Sequence, residues 1–182
     1  MTPPSEMLRS SILDAWATSN RTTIFLVGHL SSELWSAPLP GSPRRTIRML
    51  AAHLHNARCM WIHTLGRPHG IRVPAAVDRR RVTRPRLVAA LERSGRGIAS
   101  LLELALDSGG RIPPTRAYVW RNLPLDVAHV LSYFVAHEGH HRGQIVMAAR
   151  ELGHRLPPAV TNGLWQWNKR SAEGRDERAP SR

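Results

Sequence analysis

Histidine is concentrated in one short stretch of the chain, residues 136–145, whose sequence is AHEGHHRGQI. His137 and His141 are four residues apart, so on a helix they project within ~40° of each other, one turn apart. Both imidazoles can then reach one point beside the helix, as when a helix offers two nitrogen ligands to a metal ion. They fall on an apolar stripe with helical spacing that also contains Val130, Phe134, Ile145, Ala148 and Leu152.

The alternative for this pair is two core histidines, each satisfied by a hydrogen bond. A buried imidazole needs such a partner, and two of them in register on one stripe need two. The pair alone does not decide between a metal site and a polar core.

A third metal ligand is predicted on the preceding histidine-containing segment, TIRMLAAHLHNARCMWI. His53 shares its helical face with small and apolar residues, so we expect it to point inward. His55 lies ~200° and Cys59 ~240° around the helix from His53, so both should point elsewhere. His53, His137 and His141 would leave a fourth position open, which is typical of a catalytic rather than a structural metal centre. Three neutral ligands also leave the charge of the ion in place, which favours deprotonation of a water or thiol.

Four polar residues near the pair are further candidates. Glu138 could act as a general base or accept an imidazole N–H, although it projects ~100° from His137, which argues against direct contact. Gln144 could orient a ligand by hydrogen bonding, but an ordinary polar boundary residue is the favoured interpretation. Arg142 would either form an ion pair across a dimer or be solvated. His140 would either contact one of the metal ligands without binding the metal itself or lie on a dimer surface.

The helices that must position these side chains are predicted from apolar periodicity and from glycine and proline. Thr83 and Asn122 are the predicted caps of the third and fourth helices, and no strand signal is strong. The fold class is therefore all-α, a four-helix bundle with functional side chains projecting inward. The predicted helices cover about residues 5–35, 44–65, 83–107 and 122–153.

The remaining residues are predicted to serve the fold. Residues 154–170 should be irregular, and residues 171–182 should form a polar, flexible tail after a single domain over residues 1–170. The tryptophans are expected in the core rather than in a pocket. The other histidines, His29, His63, His69, His129 and His154, are expected at the surface or its boundary.

Composition limits the class of protein. The 182 residues suffice for one domain, and the one cysteine excludes an internal disulfide. The sequence shows no signal peptide and no membrane span, so a cytoplasmic location is expected. The net charge is +13, yet the arginines are spread along the chain. Base composition of the genome explains that pattern better than a nucleic-acid partner, which we consider unlikely.

Three segments resemble the DinB/YfiT-like family. HEGHHRGQI followed by ARELGHRLP is similar to the signature helix, IRMLAAHLHNARCMWI to the second helix, and GLWQWNKR to the ending of one branch. The resemblance implies an up-up-down-down four-helix bundle, often a homodimer. It also implies zinc or nickel held by three histidines, here His53, His137 and His141. Members include thiol S-transferases that use low-molecular-weight thiols, a thiol-dependent isomerase and metal-dependent hydrolases, and many have no established activity.

Three functions remain open from the sequence. The first is a metalloenzyme that activates a thiol or water toward a small substrate. The second is a non-catalytic metal-binding stress-response protein, since no acid or base beyond the ligands stands out. Nucleic-acid binding is a distant third, because no recognition motif accompanies the charge.

Overall fold

The computed structural model describes residues 3–176 of the chain. This part is mostly helical, which confirms the all-α class. Its helices are α1 Pro4–Gly28, α2 Ser32–Ser36, α3 Ile47–Trp61, α4 Arg84–Asp107, α5 Val127–Glu151, α6 Pro158–Gly163 and α7 Trp167–Asp176.

The first predicted helix is divided in two. α1 ends at Gly28, and α2 begins after Ser31, whose Oγ accepts a hydrogen bond from the backbone N–H of Leu34 at 3.1 Å. A serine side chain competes in this way for backbone donors and favours a helix start over a helix interior. The break buries Leu30 and Trp35 in the core.

The second predicted helix begins later than expected because a small hairpin precedes it. Strand β1, Pro38–Leu39, pairs antiparallel with β2, Ser42–Thr46. The connection contains Gly41, whose φ of 67° is the left-handed conformation that glycine adopts readily. Thr46 then caps α3, its Oγ1 accepting from the backbone N–H of Met49 at 3.3 Å. Strands this short carry too little alternation to be recognised in a sequence.

α3 does not stop cleanly at Trp61. The chain continues through a π-helical turn, Ile62–Gly66, and a 3₁₀ turn, Arg67–His69. The third predicted helix agrees well with α4. Thr83 occupies its N-cap position, but its side chain makes no capping hydrogen bond.

Two glycines inside α4 allow close contact with neighbouring helices. A Cβ at Gly95 would lie 2.5 Å from Nδ2 of Asn20 on α1, and one at Gly97 would lie 2.5 Å from Cδ1 of Ile62. Their small size is what lets α1 and the end of α3 approach α4.

The fourth predicted helix starts four residues too early. Asp126, not Asn122, caps α5, because its Oδ1 accepts from the backbone N–H of His129 at 3.1 Å. Asn122 instead contacts the hydroxyl of Tyr118 at 3.2 Å within the preceding loop. The predicted end is close, since α5 finishes at Glu151 and Gly153 has a φ of 78°.

The C-terminal region is more helical than its sequence indicated. The segment predicted as irregular contains α6 and the start of α7, and α7 crosses the expected domain boundary at residue 170. Ser171 on α7 donates from Oγ to Oδ2 of Asp14 on α1 at 2.7 Å. The part of the predicted tail at 177–182 lies outside the described residues.

The four long helices pack so that α1 and α3 each contact both α4 and α5. Their apolar faces form a core around residues such as Leu26, Leu54 and Leu91 toward one end and Trp16, Trp61 and Phe134 toward the other. The prediction that the tryptophans lie in the core is confirmed for Trp16, Trp35 and Trp61. It is wrong for three that are exposed: Trp120, Trp165 and Trp167. Among residues 3–176, no helix is long and apolar enough to span a membrane.

Candidate metal centre

The packing of α3 against α5 brings the three predicted histidines together. One ring nitrogen from each of His53, His137 and His141 lies within 4.8 Å of the others. Nε2 of His137 and Nε2 of His141 are 3.2 Å apart. The ring of His53 faces them across the helix pair, its centroid 5.5 Å from that of His137 and 4.7 Å from that of His141. These three residues could therefore hold a metal ion.

The helical stripes explain where this cluster sits. On α5 the two histidines lie between buried Phe134 and buried Ile145, and on α3 His53 lies between buried Leu50 and exposed Met60. All three histidines are half-buried. The cluster is thus at the edge of the core, where one side remains open to a small molecule.

The environment keeps the three imidazoles neutral at pH 7. Burial, together with the nearby charge of His141, lowers the pKa of His137 to about 4. Burial likewise lowers the pKa of His53, with His141 as the next cause, and that of His141 itself. A neutral imidazole presents the lone pair that a metal ligand needs.

The donor set fits a divalent transition metal. Imidazole nitrogen suits zinc, nickel, copper and iron. Two nitrogens bound to one tetrahedral zinc ion at ~2.0–2.1 Å would be roughly 3.3 Å apart, close to the separation of the two α5 nitrogens. Without an ion, the same short contact would have to be an imidazole–imidazole hydrogen bond. The separation of the two α5 nitrogens therefore suits a shared ion.

Gln144 forms a hydrogen bond with one of the three candidate ligands. Its Oε1 lies 2.7 Å from Nδ1 of His141, so that ring nitrogen donates the hydrogen bond and Nε2 keeps its lone pair toward the cluster. The sequence favoured an ordinary boundary residue at this position. The contact is the one that the orienting role requires, although Gln144 itself is exposed.

We expect Gln144→Ala to weaken zinc affinity roughly tenfold, because partners that orient a metal ligand typically contribute that much or more. Competition with a chromophoric chelator measures the change directly. The exposed Glu151 on the same helix provides a control, as Glu151→Ala should leave the affinity unchanged. Equal affinity for the Gln144 variant and the wild type would show that the hydrogen bond has no part in metal binding.

Glu138 is held in a buried ion pair rather than directed at the cluster. Its Oε1 accepts from Nε of Arg58 at 2.7 Å, and its Oε2 accepts from Nη2 of Arg58 at 2.7 Å and from Oγ1 of Thr23 at 2.5 Å. Glu138 is 0% and Arg58 1% exposed. Burial raises the pKa of this carboxyl, but the charge and hydrogen bonds of Arg58, with smaller contributions from Thr23 and Arg142, hold the pKa below its usual value. Both oxygens are engaged, so the geometry does not favour the catalytic role suggested by sequence.

Arg142 completes this buried network. Its Nη1 donates to Oγ1 of Thr23 at 2.8 Å and lies 3.9 Å from Oε2 of Glu138. Only 9% of the residue is exposed. Both sequence-based alternatives, a dimer ion pair and a solvated side chain, were therefore wrong. The buried pairing could not be recognised from angles on one helix, because it depends on residues of α1 and α3.

Arg58 is the important residue that the sequence interpretation missed. Besides Glu138, it donates from Nη1 to Oδ1 of Asn20 at 2.8 Å and to the carbonyl of Leu91 at 2.9 Å, so it links α3 to α1, α4 and α5. The available signal was an arginine at an inward position among apolar residues of the second helix. Such a charge, once buried, requires a partner such as Glu138.

The other α3 candidates point away from the cluster, as predicted. His55 is buried, with Nδ1 3.0 Å from Oγ of Ser94 and Nε2 3.0 Å from the carbonyl of Ala75. Cys59 packs beside it, and burial raises the pKa of its thiol to about 11. His140 is exposed, its ring centroid 5.0 Å from that of His141. The five remaining histidines are exposed or half-buried, which confirms their predicted placement: His29, His63, His69, His129 and His154.

The lowered histidine pKa values predict a pH-dependent stability of the metal-free protein. In the unfolded chain His137 takes up a proton near 6.5, but in the folded chain only near 4. Unfolding therefore consumes protons between these values, so the stability present above pH 6.5 is lost as the pH falls toward 4. Urea titrations in chelator from about pH 7.5 to about pH 4.5 should show this decline. The decline should be shallower in His137→Ala, and identical slopes would contradict its assignment to this residue.

The fold and the cluster define a class: an all-α protein with a candidate three-histidine metal centre at the edge of its core. The chain belongs to the DinB family, whose family model matches residues 5–175. No curated protein and no solved structure gives a significant match to the chain. The matched region contains all three histidines and the buried network behind them.

Proposed function

We propose that His53, His137 and His141 bind one divalent metal ion, zinc or nickel, which activates a thiol or a water molecule for attack on a small substrate. The observation that carries the proposal is the convergence of three imidazole nitrogens within 4.8 Å of one another. Membership of the DinB family supports it. Three ligands also leave room for a substrate, as in catalytic metal centres.

The chain contributes position and electrostatics to this chemistry. A bound divalent ion would lower the pKa of a coordinating thiol or water and so supply a nucleophile at neutral pH. The neutral imidazoles leave the positive charge of the ion uncompensated. Gln144 holds His141 in the tautomer that directs Nε2 to the centre. Arg58 and Glu138 tie α3 to α5 and so hold His53 opposite the other two ligands.

The test is a pair of activity screens on zinc-loaded, nickel-loaded and metal-free protein. One combines cysteine or glutathione with 1-chloro-2,4-dinitrobenzene, and the other follows hydrolysis of 4-nitrophenyl acetate. We expect at least one metal-loaded form to exceed the metal-free form by about tenfold or more, in the range of a modest catalytic contribution. The variant His137→Ala/His141→Ala should show background rates. Equal background rates for every form would contradict a catalytic function.

A second candidate is a non-catalytic metal-binding protein of a stress response. The observation that favours it is the engagement of Glu138, which leaves the cluster without a free carboxylate from its nearest acidic neighbour in the sequence. In that case metal would raise stability without turnover. His141→Ala would then lower the melting temperature in the presence of zinc, while both screens stay at background.

We further propose that the four long helices form an up-up-down-down bundle that assembles as a cytoplasmic homodimer. A low-molecular-weight thiol is the proposed co-substrate, and nucleic acid is not a proposed partner. Sedimentation equilibrium tests the dimer. An electrophoretic titration should show no salt-sensitive affinity for DNA or RNA, and a strong salt dependence would contradict this assignment.

A further inference from the structure

A continuous row of aromatic rings leads from the metal centre to the protein surface. The ring of Tyr133 lies nearly parallel to that of His137, with centroids 6.0 Å and planes 17° apart. Trp61 meets Tyr133 edge-on at 5.3 Å and Trp120 edge-on at 6.2 Å. We call these three residues the aromatic shelf: Tyr133, Trp61 and Trp120. Trp61 is buried, so it supports the two outer rings rather than offering a surface itself.

The outer end of the aromatic shelf is held in solvent by its own loop. Trp120 is 53% exposed and its neighbour Val119 71% exposed. The hydroxyl of Tyr118 accepts from the backbone N–H of Leu123 at 2.6 Å and contacts the carbonyl of the same residue at 3.0 Å. These hydrogen bonds close the loop at its base and leave Trp120 near its tip.

The backbone next to Trp120 is in an unfavourable conformation. Arg121 has a φ of 46°, and it is the one residue other than glycine with a positive φ in the described part of the chain. A residue with a Cβ pays a steric penalty in this region, and such strain is concentrated at functional sites. Exposing a large apolar ring to water is also unfavourable. The strained backbone and the exposed ring therefore lie at adjacent residues of one loop.

We propose that the aromatic shelf binds a planar apolar group of the substrate while the reactive end of that substrate lies at the metal centre. This inference rests on the proposed function. Tyr133 contacts the ligand His137 directly, so a molecule held at the centre can extend along Tyr133 toward Trp120. Planar groups gain both apolar burial and ring stacking on such a surface. The substrate class is then a small molecule with an aromatic or similarly flat apolar part.

The experiment compares two ligands that carry the same metal-binding group. 4-Phenylbenzohydroxamate and acetohydroxamate differ in two linked rings, which extend farther from the metal than one ring does, so the ratio of their dissociation constants isolates the flat apolar group. Binding is followed on cobalt-loaded protein through the visible absorption of the cobalt, which does not depend on turnover. We expect 4-phenylbenzohydroxamate to bind about tenfold more tightly, the size of effect that stacking and burial of a ring produce.

Three variants test whether the tighter binding of the aromatic hydroxamate depends on Trp120. Trp120→Ala should remove most of this preference, Trp120→Phe should restore much of it, and Trp165→Ala should leave it unchanged, because Trp165 is an exposed tryptophan outside the aromatic shelf. Acetohydroxamate should bind all forms equally, which also shows that each variant is folded and holds cobalt.

Each result bears on a separate claim. If the protein takes up no cobalt, the proposed function fails and this inference fails with it. If cobalt binds and Trp120→Ala keeps the full preference for the flat apolar group, only this inference is overturned. It is also overturned if Trp120→Ala converts a dimer to a monomer in sedimentation without changing the preference, because the exposed rings would then serve a second copy of the chain.

Discussion

Replacing Glu138 by alanine is expected to lower the free energy of unfolding by roughly 3–5 kcal/mol. The change removes the carboxylate that pairs with Arg58 and lies beside Arg142 while both guanidinium groups stay buried. Removing one partner of a buried ion pair leaves an uncompensated charge, which destabilises far more than the loss of the pair as a whole. Urea denaturation of metal-free protein measures the effect without involving the metal centre.

Two further variants show whether charge is the cause. Glu138→Gln keeps nearly the same shape but removes the charge, so it should also be strongly destabilised. Glu151→Ala removes an exposed carboxylate from the same helix and should change the free energy by less than about 0.5 kcal/mol. If Glu138→Ala unfolded like the wild type yet lost only activity, Glu138 would be a catalytic residue and the structural account of it would be wrong.

Excess zinc is expected to raise the melting temperature of the wild type by roughly 10 °C. An ion that binds only the folded state at about 1,000 times its dissociation constant contributes ~4 kcal/mol. For a domain of this size each kcal/mol shifts the midpoint by about 2–4 °C. Scanning calorimetry in zinc and in chelator gives the shift.

Two variants show whether the zinc-dependent shift comes from the proposed metal ligands or from a neighbouring histidine. His137→Ala/His141→Ala should show no zinc-dependent shift, because two of three nitrogen ligands are gone. His140→Ala removes an exposed histidine beside His141 and should keep the full shift. A zinc response that survives in the double variant would place metal binding elsewhere in the chain.

The sequence predicted the cluster well because its geometry is local to two helices. Four-residue spacing on α5 and the inward face of α3 are sufficient to direct His53, His137 and His141 toward the same interface. The same reasoning also directed His55 and Cys59 away from it, as the structure shows. Helical periodicity therefore carries real information about which side chains can meet.

The failures came where position depends on contacts between distant elements. Arg142 and Glu138 looked like surface or catalytic residues, since their partners Arg58 and Thr23 lie on other helices. The sequence interpretation missed the break between α1 and α2 at Ser31, and the short hairpin before α3, for a different reason. Single side-chain caps and two- to five-residue strands give weak patterns, and tertiary packing decides them.

Metal content tests the central claim most directly. The wild type, His137→Ala/His141→Ala and His140→Ala should be purified without immobilised nickel and analysed for zinc, nickel, copper, iron and cobalt. We expect about one divalent ion per chain in the wild type and in His140→Ala, and none in the double variant, as for a three-histidine centre. No metal in any of the three, or equal metal in all of them, would contradict a metal centre at His53, His137 and His141.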